Sequence, residues 1–117
     1  MTLISILKSK IHRATVTAAN LDYTGSISLD PNLMAAAGLV EYEKVLVADI
    51  TNGNRLETYV IASHRGTGEV CMNGAAAHLV KRDDLIIVMS FHFVSTEEAV
   101  AFSPTIVKVD EQNQVVE

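Results

Sequence analysis

The residues of this 117-residue chain with most to offer chemically are scattered along it: Ser26 behind Gly25, Thr58 beside Tyr59, the cations Lys10 and Arg55, and the run Asn73-Gly74-Ala75-Ala76-Ala77-His78. Two readings of that last run stand side by side. It is a loop leading into a short Ala-rich helix, or a row of accessible backbone N–H groups that a ligand or oxyanion can approach because small side chains leave room. Gly25-Ser26 says nothing alone, since six Gly and eight Ser in 117 residues give roughly 0.4 such dipeptides by chance. Taken singly, Lys10 and Arg55 are solvated surface charges, Thr58 is a strand threonine, and Tyr59 is a half-buried strand aromatic. No Gly-rich phosphate loop or nucleophile elbow occurs. His12, His64, His78 and His92 show no ligand spacing with Cys71 or with each other, so no metal is expected.

The elements that must position these residues are mostly short strands. Lys10 to Thr17 alternates, with Ile11, Arg13, Thr15 and Thr17 on one side and His12, Ala14 and Val16 on the other. Ser26 to Leu29, Lys44 to Ile50, Leu56 to Ala62, Val70 to Met72, Leu85 to Phe93 and Ile106 to Val109 follow as strands. Asn52-Gly53 and Arg65-Gly66-Thr67-Gly68 supply turns. Asp30 caps a helix that begins at Pro31 and stops at Gly38. Ser95 and Glu98 form a capping box for a second helix, Thr96 to Phe102, which ends near Pro104. Asn73 to His78 has room for a single helical turn, and Glu111 to Glu117 reads as a loose tail. Many short strands with little helix predict a small closed β-barrel rather than a βαβ sheet.

Composition bounds the partners. The length fits one domain over residues 1–117. The hydrophobic fraction is 49% and the charged fraction 20%, which describes a folded globule. A net charge of −5 without a basic cluster argues against nucleic acid. The apolar stretch Met1 to Leu7 is too short for a signal segment or a membrane span. One cysteine, Cys71, leaves no internal disulfide and suits a reducing cytoplasm. So much apolar surface on so small a body suggests an oligomer.

Five segments together are more specific than any one. Lys10-Ile11-His12-Arg13, Tyr23-Thr24-Gly25-Ser26, Thr51-Asn52-Gly53-Asn54-Arg55, Thr58-Tyr59 and Asn73-Gly74-Ala75-Ala76-Ala77-His78 resemble, in order and spacing, the pyruvoyl-dependent aspartate 1-decarboxylase family. The match runs from Ile4 to about Val109. The resemblance implies a six-stranded double-psi β-barrel that assembles as a homotetramer with sites at subunit interfaces. It also implies conversion of L-aspartate to β-alanine and carbon dioxide, for pantothenate biosynthesis. The implied cofactor is a pyruvoyl group made from Ser26, which forms a Schiff base with substrate. Cutting between Gly25 and Ser26 would leave a β chain of residues 1–25 and an α chain of residues 26–117.

The residue types suit that chemistry. Decarboxylating an amino acid leaves electrons on Cα, and a conjugated carbonyl can accept them. A pyruvoyl group can exist only at a chain terminus, so the chain must be cut before a serine. Ser26 Oγ would attack the Gly25 carbonyl to give an ester, with Thr58 hydrogen-bonding the oxyanion. β-Elimination then frees the Gly25 carboxylate and leaves dehydroalanine, which hydrolyses to pyruvoyl and ammonia. Gly25, lacking Cβ, leaves room for the attack. By the same resemblance Lys10 and Arg55 bind the retained substrate carboxylate, since clamping the departing one would oppose reaction. Tyr59 returns a proton to Cα, and a phenol ordinarily carries one at neutral pH. Gly74, Ala75 and Ala76 offer backbone contacts, and Asn73 holds the loop or the cleavage carbonyl.

Regular strand geometry conflicts with one pair of roles. Thr58 and Tyr59 are adjacent and should face opposite ways, so either a bulge intervenes or the site lies between subunits. Ala48 and Asp83 depart from the family pattern without touching the reacting groups, and Asp tolerates a left-handed turn. Two other functions fit the chain: an uncut barrel acting as a binding or assembly module, or a pyruvoyl decarboxylase for another amino acid. Ser26, Thr58 and Tyr59 weigh against the first of these.

Overall fold

The computed structural model describes residues 2–116. Its strands are β1 (Leu3–Thr15), β2 (Ala18–Asn20), β3 (Ser26–Leu29), β4 (Lys44–Asp49), β5 (Arg55–Ala62), β6 (Val70–Asn73), β7 (Leu85–Ser95), β8 (Thr105–Val109) and β9 (Val115–Val116). Between them lie helices α1 (Pro31–Ala37) and α2 (Thr96–Ala101) and a 3-10 turn over Gly74–His78. The strands form one hydrogen-bonded series in the order β2-β6-β3-β5-β4-β7-β1-β8-β9, with parallel pairs β1/β8, β2/β6 and β3/β5. The class is mainly β, compatible with a small barrel, but there are nine strands among the described residues where six were expected. Part of the surplus is β2 and β9, pieces of three and two residues that exist only through their pairing.

Alternation builds the core. Ile27 and Leu29 from β3, Val45 and Val47 from β4, Val60 from β5, Val70 and Met72 from β6, and Ile86 and Val88 from β7 pack into one apolar cluster. In β1 the simple alternation fails. Ile11 and Ala14 are both fully buried although three residues apart, because the β1/β7 register shifts between them. Arg13 takes the left-handed conformation there, φ 62°, and the bulge turns Ala14 and Val16 to the same side as Ile11. The expected partition of Lys10 to Thr17 into two faces is corrected accordingly.

Helix α1 has the predicted ends. Asp30 Oδ1 accepts from Asn32 N at 2.8 Å, Pro31 opens the first turn, and Gly38 closes it at φ 68°. Asp30 also accepts from Gly66 N (3.0 Å) and Gly68 N (2.9 Å), which pins the β5–β6 turn to the end of β3. Burial would raise its pKa, but the N–H groups of Asn32, Gly68 and Gly66, with Arg65, hold it below the ordinary value. The capping box of α2 is formed by Ser95 and Glu98 as expected. Glu43 binds Lys8 Nζ at 2.7 Å, Val40 N at 3.1 Å and the Ser90 hydroxyl, which joins the loop after α1 to β1 and β7.

The tail is not loose. Buried Asn113, at φ 59°, donates to Thr15 O and Gly68 O and accepts from Thr15 N, each at 2.8 Å. β9 then pairs with β8, and residue 117 lies outside the described residues. The tail is polar because its amide tip, not an apolar side chain, enters the protein.

Candidate active site

Strands β3 and β6 run antiparallel, with Ser26 opposite Asn73 and Ser28 opposite Cys71. On both strands the intervening residues, Ile27 and Met72, enter the core. Ser26, Ser28, Cys71 and Asn73 therefore share the other face as a four-residue polar patch. Asn73 Nδ2 donates to Ser26 Oγ and to Ser28 Oγ, both at 2.9 Å. Ser26 Oγ gives its own proton to Thr24 O at 3.2 Å, and Ser26 is fully buried. The Asn73 amide thus holds hydroxyls, not the loop or a cleavage carbonyl as expected from the sequence.

Gly74 presses on that segment from the other side. At its φ of 67°, a Cβ would lie 2.7 Å from both N and Cα of Gly25 and 2.9 Å from Tyr23 O. Only glycine permits backbone this close, and the left-handed turn favours it as well. Asn73-Gly74 is therefore the support against which Gly25-Ser26 is held. The following Gly74–His78 segment is the anticipated single turn, of 3-10 type.

A hollow of about 330 Å³ opens beside Gly25, lined by Leu56, Glu57, Thr58, Tyr59, Ala75, Ala76 and Leu79. Its floor is the edge of β5 that β4 does not occupy. β4 pairs with Arg55 to Tyr59 without a register break, so no bulge separates Thr58 from Tyr59. On the opposite edge β3 pairs only from Val60 onward. Continuing the parallel register Ile27 to Val60 back by one residue sets Ser26 beside Tyr59, and by two sets Gly25 beside Thr58. Neighbours on β5 reach one hollow because it runs along an open strand edge. That removes the conflict over Thr58 and Tyr59 without a bulge.

The cations are placed differently. Lys10, Met89, Leu46 and Glu57 form one transverse row across β1, β7, β4 and β5. Lys10 is thus three strand spacings, roughly 14 Å, from the β5 residue that lines the hollow. Arg55 opens β5, exposed, two residues before Glu57. The single chain brings Gly25, Thr58, Tyr59, Ala75 and Ala76 together around the hollow, with Ser26, Asn73 and Gly74 behind it. It does not bring Lys10 there. His12 Nδ1 has no partner, and burial first, then Lys10, Arg13 and Lys108, lower its pKa.

Ser28 and Cys71 escaped the sequence reading. Each lies two residues from a selected one on its strand, a spacing that signals a shared face only once the strand is known. Leu79 was missed too; its carbonyl accepts from Asn52 Nδ2 (3.0 Å) and Asn54 Nδ2 (2.9 Å), joining the turn before Arg55 to the hollow's far wall. Among the described residues no cluster of His, Cys, Asp and Glu suited to a metal ion occurs, and no helix is long and apolar enough to cross a membrane.

Known proteins are similar to this chain along nearly its whole length. The family model described as aspartate decarboxylase matches residues 1–116. An aspartate 1-decarboxylase of Acetivibrio thermocellus is 58% identical over 113 residues, covering 97% of this chain and 90% of that protein. One of Corynebacterium efficiens is 59% identical over 112 residues, covering 96% and 82%, and one of Clostridium botulinum is 55% identical over 112, covering 96% and 88%.

Proposed function

The chain belongs to the aspartate decarboxylase family, and on that premise we propose that it cuts itself before Ser26 and then decarboxylates L-aspartate to β-alanine. The observation that carries the reading is the grip on Ser26, whose buried Oγ lies 2.9 Å from Asn73 Nδ2 while Gly74 backs the adjoining Gly25. The domain is one unit over residues 1–117, and its cut gives chains 1–25 and 26–117.

The residues fit a pyruvoyl group at position 26. Ser26 begins a strand beside an open hollow, and the close approach of Gly74 holds the preceding glycine. In the cut, Ser26 Oγ bonds to the Gly25 carbonyl carbon as the amide C–N bond breaks, and the freed amine keeps the hydroxyl proton. Thr58, alongside Gly25 by strand register, is the donor for the tetrahedral oxyanion. Loss of the Ser26 α-proton then expels Oγ as part of the Gly25 carboxylate. That oxygen gains charge as it leaves, and Asn73 Nδ2 is already donating to it. Water replaces the nitrogen of the remaining dehydroalanine, which departs as ammonia.

The pyruvoyl carbonyls supply the sink for the electrons left behind by carbon dioxide. Tyr59, beside Ser26 by register, returns the proton to Cα. Backbone groups of Gly74, Ala75 and Ala76 hold the substrate. Arg55 and Lys10 bind the carboxylate that stays, Lys10 from a neighbouring copy in a homotetramer, because one chain keeps it roughly 14 Å from the hollow. Exposed Phe93 (72%) and Tyr42 (73%) offer apolar surface for such assembly. The cytoplasm suits the single thiol, and the product serves pantothenate synthesis.

Intact mass and denaturing electrophoresis of the active protein test this. Two chains are expected, the larger without a free amine and reactive toward borohydride. Ser26→Ala should remain one chain and lose at least 1,000-fold in turnover, of the order removal of a covalent group costs. Tyr59→Phe should still be cut but turn over roughly 100-fold slower. An active preparation holding only the uncut chain would overturn the proposal, and sedimentation of a monomer at micromolar concentration would overturn the tetramer.

A further inference from the structure

The two ends of an asparagine amide have nearly the same shape and opposite hydrogen-bonding sense. Nδ2 must face Ser26 for the amide to donate to the departing oxygen, so some neighbour has to choose the orientation. Ser28 cannot, because its hydroxyl can donate or accept, and Ser26 helps only while its own proton stays on Thr24 O at 3.2 Å, a bond it gives up when Oγ attacks. Cys71 can. It lies two residues before Asn73 on the same face of β6, and its Sγ is 3.2 Å from Asn73 Oδ1.

A thiol is a donor only while it keeps its proton. Cys71 is 8% exposed, and burial, with Glu69 nearby, pushes its pKa above the ordinary value. The group facing Oδ1 is therefore S–H. Flipping the amide would set NH₂ against S–H, donor against donor, and turn Oδ1 toward Ser26 and Ser28. No other side chain is within hydrogen-bonding distance of Oδ1 among the described residues.

We propose that Cys71 is a positioning residue for self-cleavage, its S–H fixing the Asn73 amide so that Nδ2 faces Ser26 Oγ. This rests on the reading that Ser26 cuts the chain. With the amide so fixed, a donor waits at the oxygen that leaves in the Gly25 carboxylate. A flipped amide would put a carbonyl there, repelling the charge as it grows. Cys71 touches no reacting atom and acts through Asn73 alone.

The test follows the cut by intact mass from freshly synthesised full-length chain, comparing the parent with Cys71→Val, Cys71→Ala and Cys71→Ser. Valine fills the space without a donor, alanine removes both, and serine retains an O–H. Val and Ala variants should be cut roughly tenfold more slowly, the scale of one buried hydrogen bond, and Ser within about twofold of the parent. Thermal midpoints recorded alongside separate cleavage from folding. If valine does not fold, alanine against serine decides the same question. Parental rates in Val or Ala, or a Ser variant as slow as they are, would overturn the role of Cys71. A parent that itself stays uncut would overturn the underlying reading, and the proposal with it, and that result is distinct from the others.

Discussion

Two buried polar corners flank the hollow, and they are held by opposite means. The patch of Ser26, Ser28, Cys71 and Asn73 consists of neutral groups whose buried atoms all find partners. The turn from Asp49 to Asn54 is held by a carboxyl with one oxygen engaged and one orphaned. Asp49 Oδ1 accepts from Thr51 N at 2.8 Å and Asn52 N at 3.3 Å, while Oδ2 has no partner and faces the carboxyl of Asp84. Burial, then the neighbouring Asp84 carboxyl, raises the Asp49 pKa from 3.8 to about 6. A neutral, complementary patch keeps its geometry at any physiological pH. The acidic corner sets two carboxyls together and is favoured while Asp49 holds its proton.

The sharpest way to break the patch is through its backbone. Gly74→Ala sets a Cβ 2.7 Å from Gly25 N and Cα, at a residue already at φ 67°. The fold should lose about 2–4 kcal/mol from overpacking and left-handed strain together. Self-cleavage should slow 100-fold or more, because Gly25 must move away from the attacking hydroxyl. Gly66→Ala provides the contrast, with φ 84° but nothing within 4 Å of its Cβ. It should cost about 1 kcal/mol and leave the cut unchanged. Chemical denaturation and timed intact mass on both variants check the pair, and equal effects would show that φ alone matters.

The same contrast explains what could be read from the sequence. Signals local to a few residues were legible: the Asp30 cap with Pro31 and Gly38, the Ser95–Glu98 box, and the left-handed turn at Asp83, φ 74°. Strand centres were legible too, through alternation. Features created by pairing were not. Ala18 to Asn20 has no pattern of its own and is a strand because β6 lies beside it. The first half of β1 was missed because Lys8 and Lys10 interrupt its apolar run, yet Lys8 is neutralised by Glu43, 35 residues away. At the site, five linked motifs pointed to Gly25, Ser26, Thr58, Tyr59 and Asn73 to Ala76. Ser28 and Cys71 stayed hidden because register, which no spacing along the chain encodes, makes them neighbours of Asn73.

The acidic corner can be probed through its proton. Because the folded-state pKa of Asp49 is raised, the folded protein binds that proton more tightly than the unfolded chain does. The stabilisation is full below pH 3.8 and is lost as pH rises through about 6. A two-unit shift corresponds to about 3 kcal/mol at most. Asp49→Asn retains an acceptor for Thr51 N and presents a permanent N–H to Asp84, so its stability should change less between pH 4 and 7. Asp30 should show the reverse sign, since its pKa is lowered and its contribution disappears as pH falls. Urea titrations across that range, parent against Asp49→Asn, measure the difference. Parallel profiles would mean that the Asp49 proton does not hold the turn.

The mildest change tests whether the neutral patch depends on its full complement of partners. Asn73 Nδ2 has two hydrogens and gives one to each serine, both at 2.9 Å. Ser28→Ala removes one acceptor and leaves Ser26 with the other. An unpaired buried N–H costs about 1–3 kcal/mol, but Ser28 is only partly buried and water can substitute for it. Stability should therefore fall by about 1 kcal/mol and cleavage slow only two- to threefold. The amide would still be fixed at its other end, because Cys71 holds Oδ1 whether or not Ser28 takes the second hydrogen. In a Cys71→Val background that restraint is gone, and Ser28→Ala should then slow the cut by more than it does alone. Timed cleavage of the two single variants and the double variant measures this coupling; strictly additive effects would mean that the two contacts do not act on one amide.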